Sequence, residues 1–231
     1  MGILANALSI SLGAIIGSRL KKSISPATFD ILGIGIMTLS LVGFLEGILE
    51  ASSGDLKSTG LIAVILSLIA GTLIGNRLQL GQRLTRLCEK KRSDFSAVIE
   101  ATLLFGVGGL QISGPILLAS GGDNSQLYLK ALVDLPFALL FGATYGRSVA
   151  LASFPVALMQ LGMFGIALLG APLLEEALIS QITSMGYIIL FFTGYNALSV
   201  SENKIENVNM LPAIFVNILF YFTVKLSGGA L

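Results

Sequence analysis

Apolar residues along this chain gather into runs of about twenty, at 3–20, 30–49, 58–79, 96–119, 128–147, 149–171, 182–200 and 208–227, with short polar joints between most of them. An α-helix rises 1.5 Å per residue, so a run of ~20 residues crosses a hydrocarbon layer ~30 Å thick. The pattern predicts one all-α domain over residues 1–231, a polytopic transmembrane helical bundle of about eight spans. The joint between the fifth and sixth runs is only Arg147-Ser148, so a seven-span chain with a re-entrant segment or a tight turn there is the alternative.

A short phrase recurs at the ends of three of these runs: GAIIGSR at 13–19, GTLIGNR at 71–77 and GATYGR at 142–147. Gly13 and Gly17, Gly71 and Gly75, and Gly142 and Gly146 each lie four residues apart, on one face of a helix where a second backbone can approach closely. These six glycines are read as helix-packing positions. A fourth run ends in GYNAL, with Asn196 where the others carry arginine. The even-numbered runs echo one another too, through Glu46, Gln111, Gln160 and Asn217, and MTLSLVGFLEGI at 37–48 is similar to ATLLFGVGGLQISG at 101–114. Together these echoes suggest a helical hairpin repeated in one orientation.

Composition places the chain in a bilayer. Hydrophobic residues make up 54% and charged residues 12%, against roughly 25% charged in soluble domains, and the mean hydropathy is +0.88. The first run lacks the basic leader of a secretory signal and is instead followed by Arg19, Lys21 and Lys22, which reads as a retained span.

Basic residues are sorted by side. With eight spans, Arg19, Lys21, Lys22, Arg77, Arg83, Arg86, Lys90, Lys91, Arg92, Arg147 and Lys204 fall on one side, against Lys57, Lys130 and Lys225 on the other. Because basic loops stay in the cytoplasm, this predicts a multi-pass protein of the cell (inner) membrane with both termini outside the cytoplasm and the arginines and lysines through Arg92 acting as topology anchors. The segment LGQRLTRLCEKKRSDF at 80–95 reads as an amphipathic stretch against anionic lipid.

Whole classes of chemistry lack their residues. The chain has no histidine and one cysteine, Cys88, so it holds no Cys/His metal set, no Ser-His-Asp triad and no Cys-His pair, and it carries no phosphate-binding loop of the GxxxxGK[ST] type. A net charge of +1 gives no sign of a nucleic-acid partner. The expectation is therefore a protein that is not an enzyme, with no cofactor and no metal, whose surroundings are the lipid bilayer and further copies of itself in a homo-oligomer.

Polar groups within hydrocarbon are the remaining candidates, because they are costly there unless paired or facing water. Lys130 and Asp134 stand four residues apart in LYLKALVDLPF and can pair on one helix face, either at the outer mouth of a pathway or as an interfacial ion pair reaching to the head groups. Gln111, Gln160 and Asn217 lie nearer mid-membrane, where they either line a solute site or bond across helix contacts, and Asn6, Asn196 and Glu46 join them as weaker candidates. Prolines within the runs at 112–124 and 153–162 free backbone carbonyls that a cation could use, or simply kink the helices for packing.

NALSISLGAIIGSRL at 6–20, ATLLFGVGGLQISGP at 101–115, LYLKALVDLPFALLFGATYGRSVALASFPVALMQ at 127–160, and GYIILFFTGYNAL with NMLPAI within 186–214 resemble the bacterial membrane proteins grouped as domain of unknown function 554. The chain departs from that pattern at Leu135, where glycine usually follows the aspartate. The resemblance implies an integral protein of the cytoplasmic membrane, of a group often described as transporters without an established substrate. The expected function is a transporter or channel for a small polar solute or ion, through a path lined by intramembrane amides and the Lys/Asp pair. The alternative is a membrane scaffold or subunit that recruits a partner through its basic loop.

Overall fold

The structure is a computed structural model describing residues 1–20, 25–51, 59–89, 96–106, 110–170, 175–198 and 205–226. Among them all regular elements are helical: α1 (Gly2–Leu20), α2 (Pro26–Ala51), α3 (Thr59–Leu78), α4 (Leu80–Glu89), α5 (Ser96–Gly106), α6 (Leu110–Gly121), α7 (Ser125–Tyr145), α8 (Ser153–Leu169), α9 (Glu176–Ala197) and α10 (Pro212–Leu226), with 3₁₀ turns at Arg147–Ala152 and Asn207–Met210. Proline opens α2 and α10, where its missing N–H costs no helical bond. α3 and α4 are separated by Gln79, whose φ of 52° a helix cannot continue.

The closest packing joins helices far apart in sequence. α1 pairs with α7, α2 with α9 and α3 with α10, whereas the consecutive helices α2 and α3 touch only lightly. The echoed runs therefore do not pack as self-contained hairpins. Glycines make the pairings possible. A Cβ on Gly17 would lie 2.0 Å from the Leu139 carbonyl oxygen, one on Gly142 would lie 2.2 Å from that of Ala14, and Gly13 abuts Ala138 and the Leu135 carbonyl. Gly71 and Gly75 bring α3 equally close to Ala213 of α10 and to Asn209 in the 3₁₀ turn before it. Gly146 differs from its expected role. It caps α7 with φ at 89° and has open space where its Cβ would be, so it serves the turn and not a packing face.

These contacts fix helix directions. Gly2 meets Leu127, Gly13 meets Ala138 and Gly17 meets Leu139, so α1 and α7 run parallel. α10 runs antiparallel to α3, and α9 antiparallel to α2, where Gly43 lies on Tyr187 and Gly194 on the Gly33 carbonyl. If α2 and α3 each cross once, parallel α1 and α7 require one further crossing between them. α5 and α6 together supply it: α5 packs on the 3₁₀ turn beyond the end of α7, while Ser113 of α6 donates to Gln126 in the first turn of α7 at 2.7 Å. Taken as one broken span, the pair has its halves bent by 54°. Among the described residues seven continuous helices are long and apolar enough to cross, and such a span brings the crossings to eight.

The arginines collect at one end of the bundle, where Arg19, Arg77, Arg83, Arg86 and Arg147 are all exposed. The anchors Lys21, Lys22, Lys90, Lys91 and Arg92 lie outside the described residues. Opposite the glycine faces, α1 turns Leu4, Leu8, Leu12 and Ile16 outward, and α3 turns Ile62, Ile69 and Leu73 outward, as a lipid-facing surface requires.

At the end away from the arginines, Glu175 accepts hydrogen bonds from Lys225 and Tyr221 and so ties the start of α9 to α10. Lys225, and then Tyr221, hold the Glu175 carboxyl below its ordinary value of 4.5. A depressed folded-state pKa gives stability that is fully present above the unfolded value and lost as pH falls through the folded one. The melting temperature of Glu175→Gln is therefore expected to fall less than that of the native chain on acidification from about pH 5 downward. Parallel thermal melts across that window check this, and identical profiles would refute the linkage.

Candidate functional site

α7 lies between α1 on one side and the broken α5–α6 span on the other, and the side chains it turns inward are buried by both. Two of them are charged. Lys130 Nζ and the Asp134 carboxylate stand 2.9 Å apart, with side chains 5% and 8% exposed. The ammonium also donates to the Phe105 carbonyl oxygen at 2.8 Å. Phe105 lies at the α5 end of the bend between α5 and α6. The Phe105 carbonyl thus stands at the depth where α7 presents its cation.

Asp134 sits about 13 Å along α7 from its first residue at 1.5 Å per residue, well inside the span. The pair is enclosed by protein and does not reach toward the head groups. Taking an ion out of water costs several kcal/mol, which mutual attraction offsets only with good geometry and additional hydrogen bonds. The Phe105 carbonyl provides one such bond. Asn6 of α1 is completely buried beside the Asp134 carboxyl, towards which its amide nitrogen is placed to donate, while its side-chain oxygen has no partner. A cavity of about 20 Å³, enough for one water, adjoins the pair and is lined by Leu104, Phe105, Leu110, Phe137 and Thr193 among others.

The other candidates distribute themselves around this centre instead of forming one lining. Gln111 of α6 donates to the Val156 carbonyl of α8 at 3.0 Å, while its own side-chain oxygen has no partner. Pro115 also deprives the Gln111 backbone carbonyl of its helical donor. Gln160, one turn beyond Val156, is fully buried with both amide atoms unpartnered. Asn217 lies apart, on α10. The register that sets Gly71 on Ala213 and Gly75 on Asn209 carries Ser67 to the level of Asn217, and both are buried without partners.

Asn196 and Glu46 have different surroundings. Asn196 exchanges two hydrogen bonds with the backbone of Ile205, at 2.6 and 2.8 Å, and so clamps the chain returning toward α10. Glu46 is exposed on α2 beside Leu45 and Val42, away from the interior.

Several polar contributors carry no legible signal in sequence. The Phe105 carbonyl is one, since which backbone oxygen a side chain reaches depends on how the helices pack. Thr193 and Ser67 are others, because short hydroxyl residues usually satisfy themselves on the preceding turn. Gln181, buried on α9 with an unpartnered side-chain oxygen, had a signal in its polarity within an apolar run. Asn209 joins Asn76 and the Gly81 N–H at 2.8 and 2.9 Å, fixing α3 and α4 to the 3₁₀ turn before α10.

The chain matches the family described as "Protein of unknown function (DUF554)" over residues 1–222. It is similar to the "Uncharacterized membrane protein YdfK" of Bacillus subtilis (strain 168), 27% identical over 98% of each chain. It is similar also to the "Uncharacterized protein YqgA" of Escherichia coli (strain K12), 27% identical over 94% of each. No solved structure matches it. An all-helical membrane fold and a family match spanning nearly the whole length agree, and the chain belongs to the DUF554 family.

Proposed function

We propose that this protein is a transporter or channel of the cytoplasmic membrane for a small polar solute or ion, with the arginine-bearing end in the cytoplasm and both termini outside. The observation that carries the reading is the buried Lys130–Asp134 pair bound to a carbonyl at the break in a crossing helix, with a void beside it. A purely structural bundle gains little from such an arrangement, since burying two charges and interrupting a helix both cost free energy. Broken spans instead bring backbone oxygens to mid-membrane, where a solute can use them. Gln160, with both amide atoms unpartnered, and Gln111, with its side-chain oxygen unpartnered, add polar groups on neighbouring helices.

In proteoliposomes loaded with radiolabelled candidate solutes and ions, Asp134→Ala and Gln160→Leu are expected to lower flux at least tenfold while the protein still inserts. Native flux in both variants, for whichever solute the native chain moves, would refute the assignment.

A further inference from the structure

The Lys130 ammonium already occupies a place that suits another ion. Its Nζ is held by a carboxylate oxygen at 2.9 Å and a main-chain carbonyl oxygen at 2.8 Å, the hard oxygen ligands that small inorganic cations take. We propose that Asp134, the Phe105 carbonyl and the Asn6 amide oxygen form a binding site for one monovalent inorganic cation, and that the Lys130 ammonium is a tethered surrogate which the free ion displaces.

Charge sets the valence. Asp134 is the carboxylate at this place, and among the described residues no group of three acidic, histidine or cysteine side chains gathers as a multivalent metal would need. One buried negative charge is balanced by one positive charge, so ammonium and alkali ion exclude each other. Asn6 is the independent sign of a missing ligand. It is fully buried beside Asp134 with its side-chain oxygen bonded to nothing, a state that costs free energy unless something fills it. The adjoining cavity has room for a single water-sized guest, and its walls include Lys130 itself. For an ion to take these ligands the ammonium must withdraw from them, so the native chain is expected to bind the ion more weakly than a chain without Lys130. The cation's role as cargo rests on the transport reading above, whereas the site rests on geometry alone.

The test uses the full chain in detergent, in lithium, sodium, potassium or N-methylglucamine chloride at equal ionic strength. Lys130→Met removes the surrogate. Its melting temperature is expected to rise by several degrees, saturably, with at least one alkali ion relative to N-methylglucamine. The double variant Lys130→Met/Asp134→Asn is expected to show no such rise. Lys130→Gln takes its place should the methionine variant not yield folded protein. Equilibrium dialysis of the native chain with labelled sodium and rubidium is expected to find one site per chain, at least tenfold weaker than in the lysine variant and absent in Asp134→Asn. Equal responses of the lysine variants and the double variant, or native binding that survives Asp134→Asn, overturn the site. Cation binding without solute or ion flux in liposomes would leave the site and remove the transport reading. Cation flux that survives Asp134→Asn would do the reverse.

Discussion

Lys130→Ala is expected to destabilise the bundle by roughly 3–5 kcal/mol in a buffer free of alkali ions, the range for removing one partner of a buried ion pair. The cause is the group left behind. Asp134 would remain enclosed between α1, α5 and α7 with its counter-charge gone. The Phe105 carbonyl would lose its donor at the same time, adding the cost of a buried unmet acceptor, ~1–3 kcal/mol. Replacing both partners by apolar residues of similar size, Lys130→Met with Asp134→Leu, is expected to restore most of the loss, because buried pairs exchanged whole for apolar groups are often neutral or better. Chemical denaturation of the native, single and double variants separates the cases. A double variant as unstable as the single one would mean that the pair is not the source of the strain.

The second large effect is at the glycine faces. Gly17→Leu is expected to prevent α1 from docking on α7, since even its first side-chain carbon would stand 2.0 Å from the Leu139 carbonyl oxygen and 2.7 Å from the carbonyl carbon. Gly75→Leu meets the backbone of Asn209 in the same way. Overpacking among side chains costs about 1–3 kcal/mol, and here the obstacle is backbone, which cannot choose another rotamer. The loss is therefore expected at or above that range. Gly35 and Gly162 supply the contrast, having open space where a Cβ would go, so Gly35→Leu and Gly162→Leu are expected to stay near native stability. The recovery of monodisperse protein on size exclusion after graded heating reads all four. Native recovery for Gly17→Leu would show that the two backbones are not in contact.

The two predictions rest on features of unequal legibility. Gly13, Gly17, Gly71 and Gly75 could be read as close-approach positions because in an apolar run a four-residue spacing of glycines has few other uses. Gly146 shares the spacing and not the role, because spacing does not say where a helix stops. The Lys130–Asp134 pairing was readable from its i,i+4 register, which is a local property. Its depth was not, since whether a charged side chain snorkels or is enclosed depends on which helices surround it. The same limit divided the amides. Gln111, Gln160 and Asn217 look alike in sequence, yet one bonds to α8, one is orphaned a turn away and the third lies on another helix pair. Asn196, whose bonds run to Ile205, and Glu46, on an exposed face, carried the same polar signal for different reasons.

Hydrophobic run length determined that this chain is a helical membrane protein of about eight spans, and the positions of glycine marked where helices approach, because both depend only on how each residue partitions between water and lipid or fits beside a backbone. Partner choice was decided by the tertiary structure. It set α1 parallel to α7 and α3 antiparallel to α10, bent α5 against α6, and brought the Phe105 carbonyl to the ammonium of Lys130. Helices in lipid have no hydrophobic drive to choose one neighbour over another. The choice falls to shape and to buried hydrogen bonds, which exist only once the chain has folded.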